Sequence, residues 1–372
     1  MSAPTRPHTM KAGISRAVPG RPGLRLGPMN APWRPRHLAA TLILAAAVVA
    51  LAVVSLGIGD YALSPLKVAD VLFLGGGSKQ ERLVVLDWRL PRTLAAVAVG
   101  CALGLSGALM QSVTRNALAS PDILGITSGA SALAVTAIAL AGGGGTLGAA
   151  AAWLAGAGIP FVALVGGLAT GAVVWLLAWR RGLDPFRLVL VGIVVTALLQ
   201  AYINFVMVRA NIHDATSAQQ WLAGSLNAAN WQSVLPVGIV VLAAAPVLGW
   251  AAHQVAAALL GRDAATALGQ RVDATQAAFL AGSVALAAVA VAAAGPIGFV
   301  AFVAPQVALR LCRSAAPPLA ASALTGALLL LAADTVVRSA LPVELPVGVA
   351  TSALGGAFLV YLLARTNLRS HQ

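Results

Sequence analysis

The chain has 372 residues, of which 59% are hydrophobic and 9% are charged, and its formal net charge is +13. Soluble domains carry about 25% charged residues, so this composition excludes a soluble enzyme, and the high apolar content excludes a disordered chain. Positive charge is also typical of nucleic-acid-binding proteins, but no segment interleaves basic with aromatic residues, so we predict no nucleic-acid partner.

The first segment in chain order is a basic arm. Residues 1–37 are rich in proline, arginine and glycine and show no apolar periodicity, which predicts disorder. The apolar run 38–58 follows directly, is long enough to span a bilayer and has no small-residue cleavage site at its end. We therefore predict a first transmembrane helix rather than a signal peptide, with the arm in the cytoplasm.

Further apolar runs of transmembrane length follow along the chain. A spanning helix needs about 20 apolar residues, and by this criterion we predict an all-α polytopic membrane protein with about ten transmembrane helices. The membrane domain covers 38–365 and is followed by a cytoplasmic tail at 366–372. Because an even number of spans returns the chain to its starting side, both termini are expected in the cytoplasm, in agreement with the distribution of basic residues. The predicted spans are 38–58, 93–113, 121–141, 158–179, 187–208, 231–251, 275–294, 298–314, 317–337 and 345–365.

Two loops between these spans are long. The predicted outer loop 59–92 has mixed charge and contains three consecutive glycines at 75–77. The predicted cytoplasmic loop 252–274 contains helix-forming residues at 262–268 between Gly261 and Gly269, which predicts a short surface helix between glycine stops.

No local motif predicts bond chemistry. The sequence has no Walker A motif, no local Ser–His–Asp pattern and no Cys/His cluster with metal-ligand spacing, so we predict no enzymatic activity, cofactor or metal. Acidic residues are scarce inside the predicted spans; Asp334 is the candidate for a functional one, and Arg338 follows four residues later, where the two can pair on one helix face. Ion-coupled transporters need ionisable groups within the membrane. The scarcity of such groups in the predicted spans therefore favours transport that is driven by an energy source outside this chain.

The stretch that starts at Arg89 contains a series of spaced motifs. It reads RLPRTLAAVAVGCALGLSGALMQSVTRNALASPDILGITSGASA. It resembles the FecCD (vitamin B12-permease-like) family of ABC-importer membrane subunits, which carry iron–siderophores, haem or cobalamin. The matching residues are Arg89, Pro91, Arg92, Gly100, Leu103, Ser106, Gly107, Gln111, Arg115, Asn116, Leu118, Ala119, Pro121, Leu124 and Gly125.

Later segments resemble the same family in the same order, at 221–226, 260–269, 295–300, 304–305, 333–338 and 344–348. The sequence departs from the family pattern at Ala117, where a proline is usual, at Ala301, where a glycine is usual, and at Gln306, where many members have histidine. The positions that the resemblance implies to be structural are Gly107, Gln111, Arg115, Asn116, Pro121, Gly125, Pro305, Asp334, Glu344, Pro346 and Gly348.

The resemblance implies a type II ABC importer permease in the bacterial inner membrane. The expected partners are two ATPase subunits, a second permease subunit that is identical or homologous, and a periplasmic or lipid-anchored substrate-binding protein. The expected cargo is a ferric siderophore, carried by alternating access. Arg89, Arg92 and Arg338 are the expected docking residues for the binding protein. The expected contacts with the ATPase are Leu260, Gly261, Arg262, Asp263, Ala267, Leu268 and Gly269.

Several alternatives stay open at the level of sequence. The cargo of a FecCD-like permease could instead be cobalamin or haem. An ion-driven secondary transporter and a structural membrane protein are the alternatives from other classes. For the three arginines, the alternative is anchoring of helix ends at the membrane interface. For residues 261–269, it is a connecting helix without a partner.

Overall fold

The structure is a computed structural model, and it describes residues 13–18, 21–26, 29–32, 35–59, 61–142, 158–179, 184–340 and 345–370. The arm contains three short antiparallel strands in the order β1-β2-β3, where the sequence predicted no regular structure. They are β1 (Gly13–Val18), β2 (Arg21–Leu26) and β3 (Met29–Pro32). Pro–Gly and Gly–Pro dipeptides separate them in the sequence, and such pairs favour turns between neighbouring strands.

The described part of the chain after the arm is built from α-helices, which confirms the predicted fold class. The helices are α1 (Pro35–Gly57), α2 (Pro65–Ala69), α3 (Lys79–Arg82), α4 (Leu90–Thr114), α5 (Ile126–Gly142), α6 (Ile159–Ala178), α7 (Pro185–Arg209), α8 (Ile212–Leu222), α9 (Trp231–Ala244), α10 (Val247–Ala258), α11 (Arg262–Ala267), α12 (Val272–Ala294), α13 (Val300–Cys312), α14 (Leu319–Ala340) and α15 (Val347–Ser370). Two π-helical segments, Asp70–Leu74 and Leu83–Arg89, and a 3₁₀ turn, Pro121–Leu124, complete the described helical structure.

The apolar helices lie at the positions of the ten predicted spans, but not all of them are long enough to cross a membrane alone. Within the described ranges, six helices are long and apolar enough to cross a membrane, and α9 with α10, which are bent by 58° relative to each other, make a seventh if the pair is counted as one span. Three shorter apolar helical stretches, Ile126–Ala141 in α5, Val300–Cys312 (α13) and Val347–Tyr361 in α15, fall on the remaining predicted spans. The bend lies between Ala244 and Val247. Pro246 in this break lacks the backbone N–H that a continuous helix would use as a hydrogen-bond donor. The span predicted at 121–141 begins instead with the 3₁₀ turn, and Gly125 (φ 73°) separates that turn from α5.

Helix α4 lies at the centre of the bundle and packs against α12, α13 and α14. Glycines make this close packing possible. A Cβ at Gly100 would lie 2.6 Å from the Cα of Ala327 on α14. At Gly107, a Cβ would overlap the carbonyl oxygen of Ala301 on α13. These positions therefore need a residue without a side chain, because any larger residue would push the helices apart.

The bundle has two ends, which we name by their residues. At the Arg92 end, α1 ends near the start of α4 and the end of α14. At the opposite end, which we call the coupling-helix end, α4 and α10 finish beside the turn between α13 and α14. The short helix α11 follows α10 directly, so it belongs to this second end.

Candidate functional site

Two arginines converge on one buried carboxylate at the Arg92 end. Arg92 donates to Asp334 through Nε (3.0 Å to Oδ1) and through Nη2 (2.7 Å to Oδ1). Nε of Arg338 lies 3.4 Å from Oδ2 of Asp334, and the Arg338 guanidinium also donates to Oγ of Ser55 at 2.6 Å. Asp334 is fully buried. The cluster therefore ties α1, α4 and α14 together by charge-assisted hydrogen bonds.

The sequence predicted one half of this cluster. The spacing of four residues between Asp334 and Arg338 correctly indicated that they pair on one helix. The contact with Arg92 was missed, because this residue is 242 positions away from Asp334 in the chain. No periodicity relates two such distant positions.

Arg89 has a different set of partners. Its side chain donates to the carbonyl oxygens of Leu56 (2.9 Å), Gly57 (3.3 Å) and Tyr61 (2.7 Å), and the residue is 7% exposed. The last carbonyl groups of a helix have no partner within that helix, and an arginine near them satisfies this need. Arg89 thus holds the end of α1 and the following turn against the helical segment that leads into α4.

What the structure shows is that Arg89, Arg92 and Arg338 all have partners within the chain. The side chains of Arg92 and Arg338 keep 17% and 14% of their surface exposed, so both remain within reach of solvent.

The predicted short helix in the loop 252–274 is present as α11. It lies between Gly261 (φ 101°) and Gly269 (φ 83°), and a Cβ at either glycine would meet no atom within 4 Å. The glycines are therefore required by backbone conformation and not by space. Arg262 forms an exposed ion pair with Asp273 at 2.8 Å, which fixes α11 against the start of α12.

The outer face of this short helix is free of contacts that would bury it. Leu260 and Leu268, which flank α11, are 63% and 67% exposed. Asp263 and Ala267 are exposed as well. Gln270 donates to the carbonyl oxygen of Gln254 at 3.0 Å and anchors the loop to α10. The whole set of residues with a predicted ATPase contact thus lies on one small projecting surface.

Buried polar contacts join α4 to its neighbours. The side-chain amide of Gln111 donates to the carbonyl of Phe302 at 3.2 Å, and that of Gln306 donates to Oε1 of Gln111 at 2.7 Å. On α12, Ser283 exchanges hydrogen bonds with Ser106 of α4. Gln306 stands where the family often has histidine, and here it acts as a hydrogen-bond partner of Gln111. Pro305 lies within α13 beside it.

The turn after α4 is built by the predicted motif residues. Arg115 ends α4 in the left-handed conformation (φ 49°), and Oδ1 of Asn116 accepts from the backbone N–H of Leu118 at 2.9 Å. Pro121 occupies the first turn of the 3₁₀ segment. A Cβ at Gly125 would lie 2.9 Å from Oγ1 of Thr196 on α7, so this turn packs closely against α7.

Three non-helical connections between helices meet near the start of α15. The backbone N–H of Gly348 donates to the carbonyl of Gly224 at 3.0 Å, and that of Ser225 donates to the carbonyl of Ala294 at 2.9 Å. A Cβ at Gly348 would overlap the carbonyl oxygen of Ala223. Pro346 accepts from the N–H of Val349 at 3.1 Å. Glu344, the remaining predicted motif residue, lies outside the described residues.

A groove runs along one side of the bundle beside this junction. It consists of two adjoining lobes, with cavity volumes of about 630 and 800 Å³. Four residues line both lobes, namely Thr127, Ser128, Leu222 and Pro296. The larger lobe extends from Leu118 and Ser120, near the end of α4, to Gly348 and Ser352 on α15.

The lining of the groove combines hydroxyl and amide groups with apolar side chains, and the apolar surface predominates in both lobes. The smaller lobe contains the amides of Gln200, Asn204 and Gln219, and the larger one contains Thr196. Asp122 is the ionisable residue of the lining, and it accepts a hydrogen bond from the hydroxyl of Thr127. Lipid cannot hydrogen-bond the hydroxyl and amide groups, so a groove of this mixed composition within a membrane bundle is suited to a solute with both polar and apolar surface.

The groove was not predicted from the sequence, although two of its residues form a pattern that the sequence contains. Gln200 and Asn204 are polar, lie one turn apart in the predicted span 187–208, and are exposed on α7. Their spacing would have identified a polar stripe on an otherwise apolar helix. Among the described residues, no three His, Cys, Asp or Glu side chains come together as metal ligands would.

The fold and most of the sequence match known transport proteins. The profile of the FecCD transport family matches residues 46–365. The ferric enterobactin transport system permease protein FepG of Escherichia coli (strain K12) is 40% identical over 332 residues, covering 88% of this chain and 96% of that protein. The achromobactin transport system permease protein CbrC of Dickeya dadantii (strain 3937) is 41% identical over 320 residues, covering 86% and 89%.

A relative with a different cargo in its name is also similar. The cobalamin import system permease protein BtuC of Halobacterium salinarum (strain ATCC 700922 / JCM 11081 / NRC-1) is 35% identical over 300 residues, covering 79% of this chain and 77% of that protein. Among solved structures, an inward-facing metal-chelate type ABC transporter has a TM-score of 0.73 and 27% identity, covering 88% of this chain and 99% of that one. The chain belongs to the FecCD transport family.

Proposed function

We propose that this protein moves a ferric siderophore across the membrane through the groove described above, by alternating access. The chain is an integral membrane permease subunit of an ABC importer, and the ATPase of such an importer is a separate subunit. The observation that carries the proposal is the groove in which hydroxyl and amide groups stand among apolar side chains. Such a lining provides hydrogen bonds for a polar cargo that the lipid would exclude.

The proposed cargo follows from the relatives. Those with high identity are named for ferric enterobactin and achromobactin, and another, from Bacillus subtilis (strain 168), is named for iron(3+)-hydroxamate. The cobalamin relative has lower identity over a shorter part of the chain. We therefore place a ferric siderophore first and keep cobalamin as the competing cargo in the test below.

The proposed energy input is the coupling-helix end. ABC importers require ATPase and substrate-binding partners in general. The surface formed by α11 and its two exposed leucines projects from the bundle and offers apolar contact area beside Asp263. A rigid short helix between two glycines can transmit movement of a bound subunit as a unit. We assign this surface to contact with the ATPase, with one ATPase for each of two permease subunits.

The proposed docking site for the binding protein is the Arg92 end. Arg92 and Arg338 bring two positive charges to the single carboxylate of Asp334, so the cluster keeps a net positive charge that would attract acidic groups. The orientation that goes with this proposal puts the Arg92 end outside and the arm, the tail and α11 in the cytoplasm. Charge reversal at Arg92 should weaken docking. Because this residue also holds the bundle, its effect on folding is measured in parallel.

The proposed partner for α7 is the second permease subunit. Only 11% of the most apolar stretch of α7 is buried within the chain, although two amides of the groove lie on this helix. A groove whose wall faces outward is closed by a neighbouring protein rather than by lipid, since lipid leaves the amides without partners. Two copies, or one copy and a homologue, would enclose the path between them.

The test is uptake by vesicles that contain the permease with its copurified ATPase. Binding protein is supplied with ⁵⁵Fe-enterobactin or with radiolabelled cobalamin, and ATP is enclosed on the ATPase side. We expect ATP-dependent accumulation of the iron chelate that a protonophore does not prevent. If the vesicles accumulate cobalamin and no iron chelate, cobalamin replaces the ferric siderophore as the proposed cargo. If the permease copurifies with no ATPase, also after crosslinking, the proposal is refuted. The variant Gln200→Leu/Asn204→Leu should fold normally and lose uptake, while Val194→Leu, at an exposed position of the same helix that lines neither lobe, should keep it.

A further inference from the structure

Phe299 has a backbone conformation that few side chains adopt. Its φ is 66° and its ψ is −25°, in the left-handed region where a bulky residue is strained. The other non-glycine residues with positive φ in the described part of the chain are Arg115 and Arg313, which are exposed and end helices. Phe299 instead begins one, α13. A glycine would occupy this position without strain, so the presence of phenylalanine points to a need for its ring.

The ring lies in a notch that a glycine leaves on α15. A Cβ at Gly355 would overlap Cβ and Cγ of Phe299, whereas a Cβ at the neighbouring Gly356 would meet no atom within 4 Å. On its other side, Phe299 is partly exposed and lines the larger lobe of the groove. The ring therefore stands between the notch and the open space of the groove.

The segment around Phe299 holds the ring at this place. The chain leaves helical structure between α12 and α13, with Gly295 at φ 71° and with Pro296, which has no N–H to donate. Ile297 and Val300, on either side of Phe299, are 2% and 3% exposed. Because the backbone is anchored before and after it, the strain at Phe299 cannot relax by a local shift.

We propose that Phe299, seated in the Gly355 notch, sets the width of the cargo path and contributes an aromatic face to it. This inference rests on the proposed function of the groove. Hydroxyl groups of Thr127 and Thr196 line the same lobe, so a solute in it meets both an aromatic surface and hydrogen-bonding groups. A bulky metal chelate with an aromatic or apolar rim and polar edges has the matching chemistry.

The two adjacent glycines provide a matched pair of variants. Gly355→Ala adds a methyl group that overlaps Cβ and Cγ of Phe299 and forces the ring out of its notch. The open space beside the notch is the groove, so the displaced ring would enter the groove. Gly356→Ala makes the same change in composition and helix propensity without touching the ring. Phe299→Gly removes the ring, suits the left-handed backbone and widens the lobe. Phe299→Gly combined with Gly355→Ala removes the overlap that the methyl group creates.

The width of the lobe is measured with a thiol reagent, independently of any cargo. Ser352 lines the same lobe, and its Oγ would lie 3.3 Å from a Cβ at Gly298. Ser352→Cys is made in a protein with Cys101→Ala and Cys312→Ala, and its rate of reaction with 2-(trimethylammonium)ethyl methanethiosulfonate is followed in the purified complex. Uptake of ⁵⁵Fe-enterobactin by vesicles is measured for each variant without the introduced cysteine.

The methyl group that Gly355→Ala adds at the notch should change labelling and uptake by displacing the Phe299 ring. We expect Gly355→Ala to slow labelling by about fivefold or more and to lower uptake by about tenfold, while Gly356→Ala stays within about twofold of the parent protein. Phe299→Gly should speed labelling, and the double variant should label as fast as Phe299→Gly. Thermal unfolding of each variant confirms that the protein is folded.

The outcomes that overturn this inference differ from those that overturn the proposed function. Equal labelling and uptake of Gly355→Ala and Gly356→Ala would refute the role of the notch. A slow double variant would show that the methyl group acts without the ring, and would refute the role of Phe299. If the parent complex takes up no iron chelate while the labelling pattern holds, the proposed cargo fails and the assignment of Phe299 to the groove width stands.

Discussion

Replacing Asp334 by asparagine should destabilise the protein strongly. The side chain keeps its size but loses the charge that Arg92 and Arg338 share, and its amide group is turned towards donors. Removing one partner of a buried ion pair costs about 3–5 kcal/mol. The arginine side chains are 17% and 14% exposed, so water can solvate them in part, and we expect about 2–4 kcal/mol for this variant.

The assay is thermal unfolding of the purified protein in detergent. We expect Asp334→Asn to lower the midpoint by at least about 5 °C. The matched control is Asp263→Asn on α11, an exposed carboxylate that should change the free energy of unfolding by less than about 0.5 kcal/mol. Arg92→Gln combined with Asp334→Asn should lose less than the sum of the two single variants, because both remove the same contact.

Equal midpoints for Asp334→Asn and Asp263→Asn would refute the reasoning. That result would mean that the cluster at the Arg92 end does not hold α4 to α14. Additive effects in the double variant would mean that Arg92 and Asp334 act independently, in spite of their contact at 2.7 Å.

Three other changes have defined outcomes. Gly107→Ala should lower the unfolding midpoint because its methyl group overlaps the backbone of α13, whereas Gly282→Ala, whose Cβ would lie 3.5 Å from its neighbour, should not. Gln306→Leu should cost about 1–3 kcal/mol in a denaturant titration, since it leaves Oε1 of Gln111 without its donor, and an unchanged midpoint would exclude this bond as a support. Gly269→Pro, at φ 83°, should uncouple ATP hydrolysis from uptake in vesicles, and coupling equal to wild type would refute the role of α11.

The sequence alone determines where most of the helices lie, because in a membrane protein the local content of apolar residues identifies the segments that enter the bilayer. The predicted spans lie close to the apolar helices of the bundle. This is because the bilayer has a nearly constant thickness, which sets the length of apolar run that a spanning helix needs. The short helix α11 was also predictable, because the two glycines that bound it act on the backbone at their own positions. The spacing of Asp334 and Arg338 identified a pair within one helix for the same reason.

Sites that combine distant segments were decided by the tertiary structure. Arg92 meets Asp334 across 242 residues, and the groove joins side chains from α5, α7, α8, α13 and α15, none of which is recognisable as part of a site by itself. The strands in the arm and the left-handed Phe299 also have no signal in composition or periodicity. Local patterns determine which segments become helices, whereas the packing of these helices determines which polar side chains share a buried space. That packing depends on close backbone contacts, such as the one at Gly107, that become visible only once the helices are brought together.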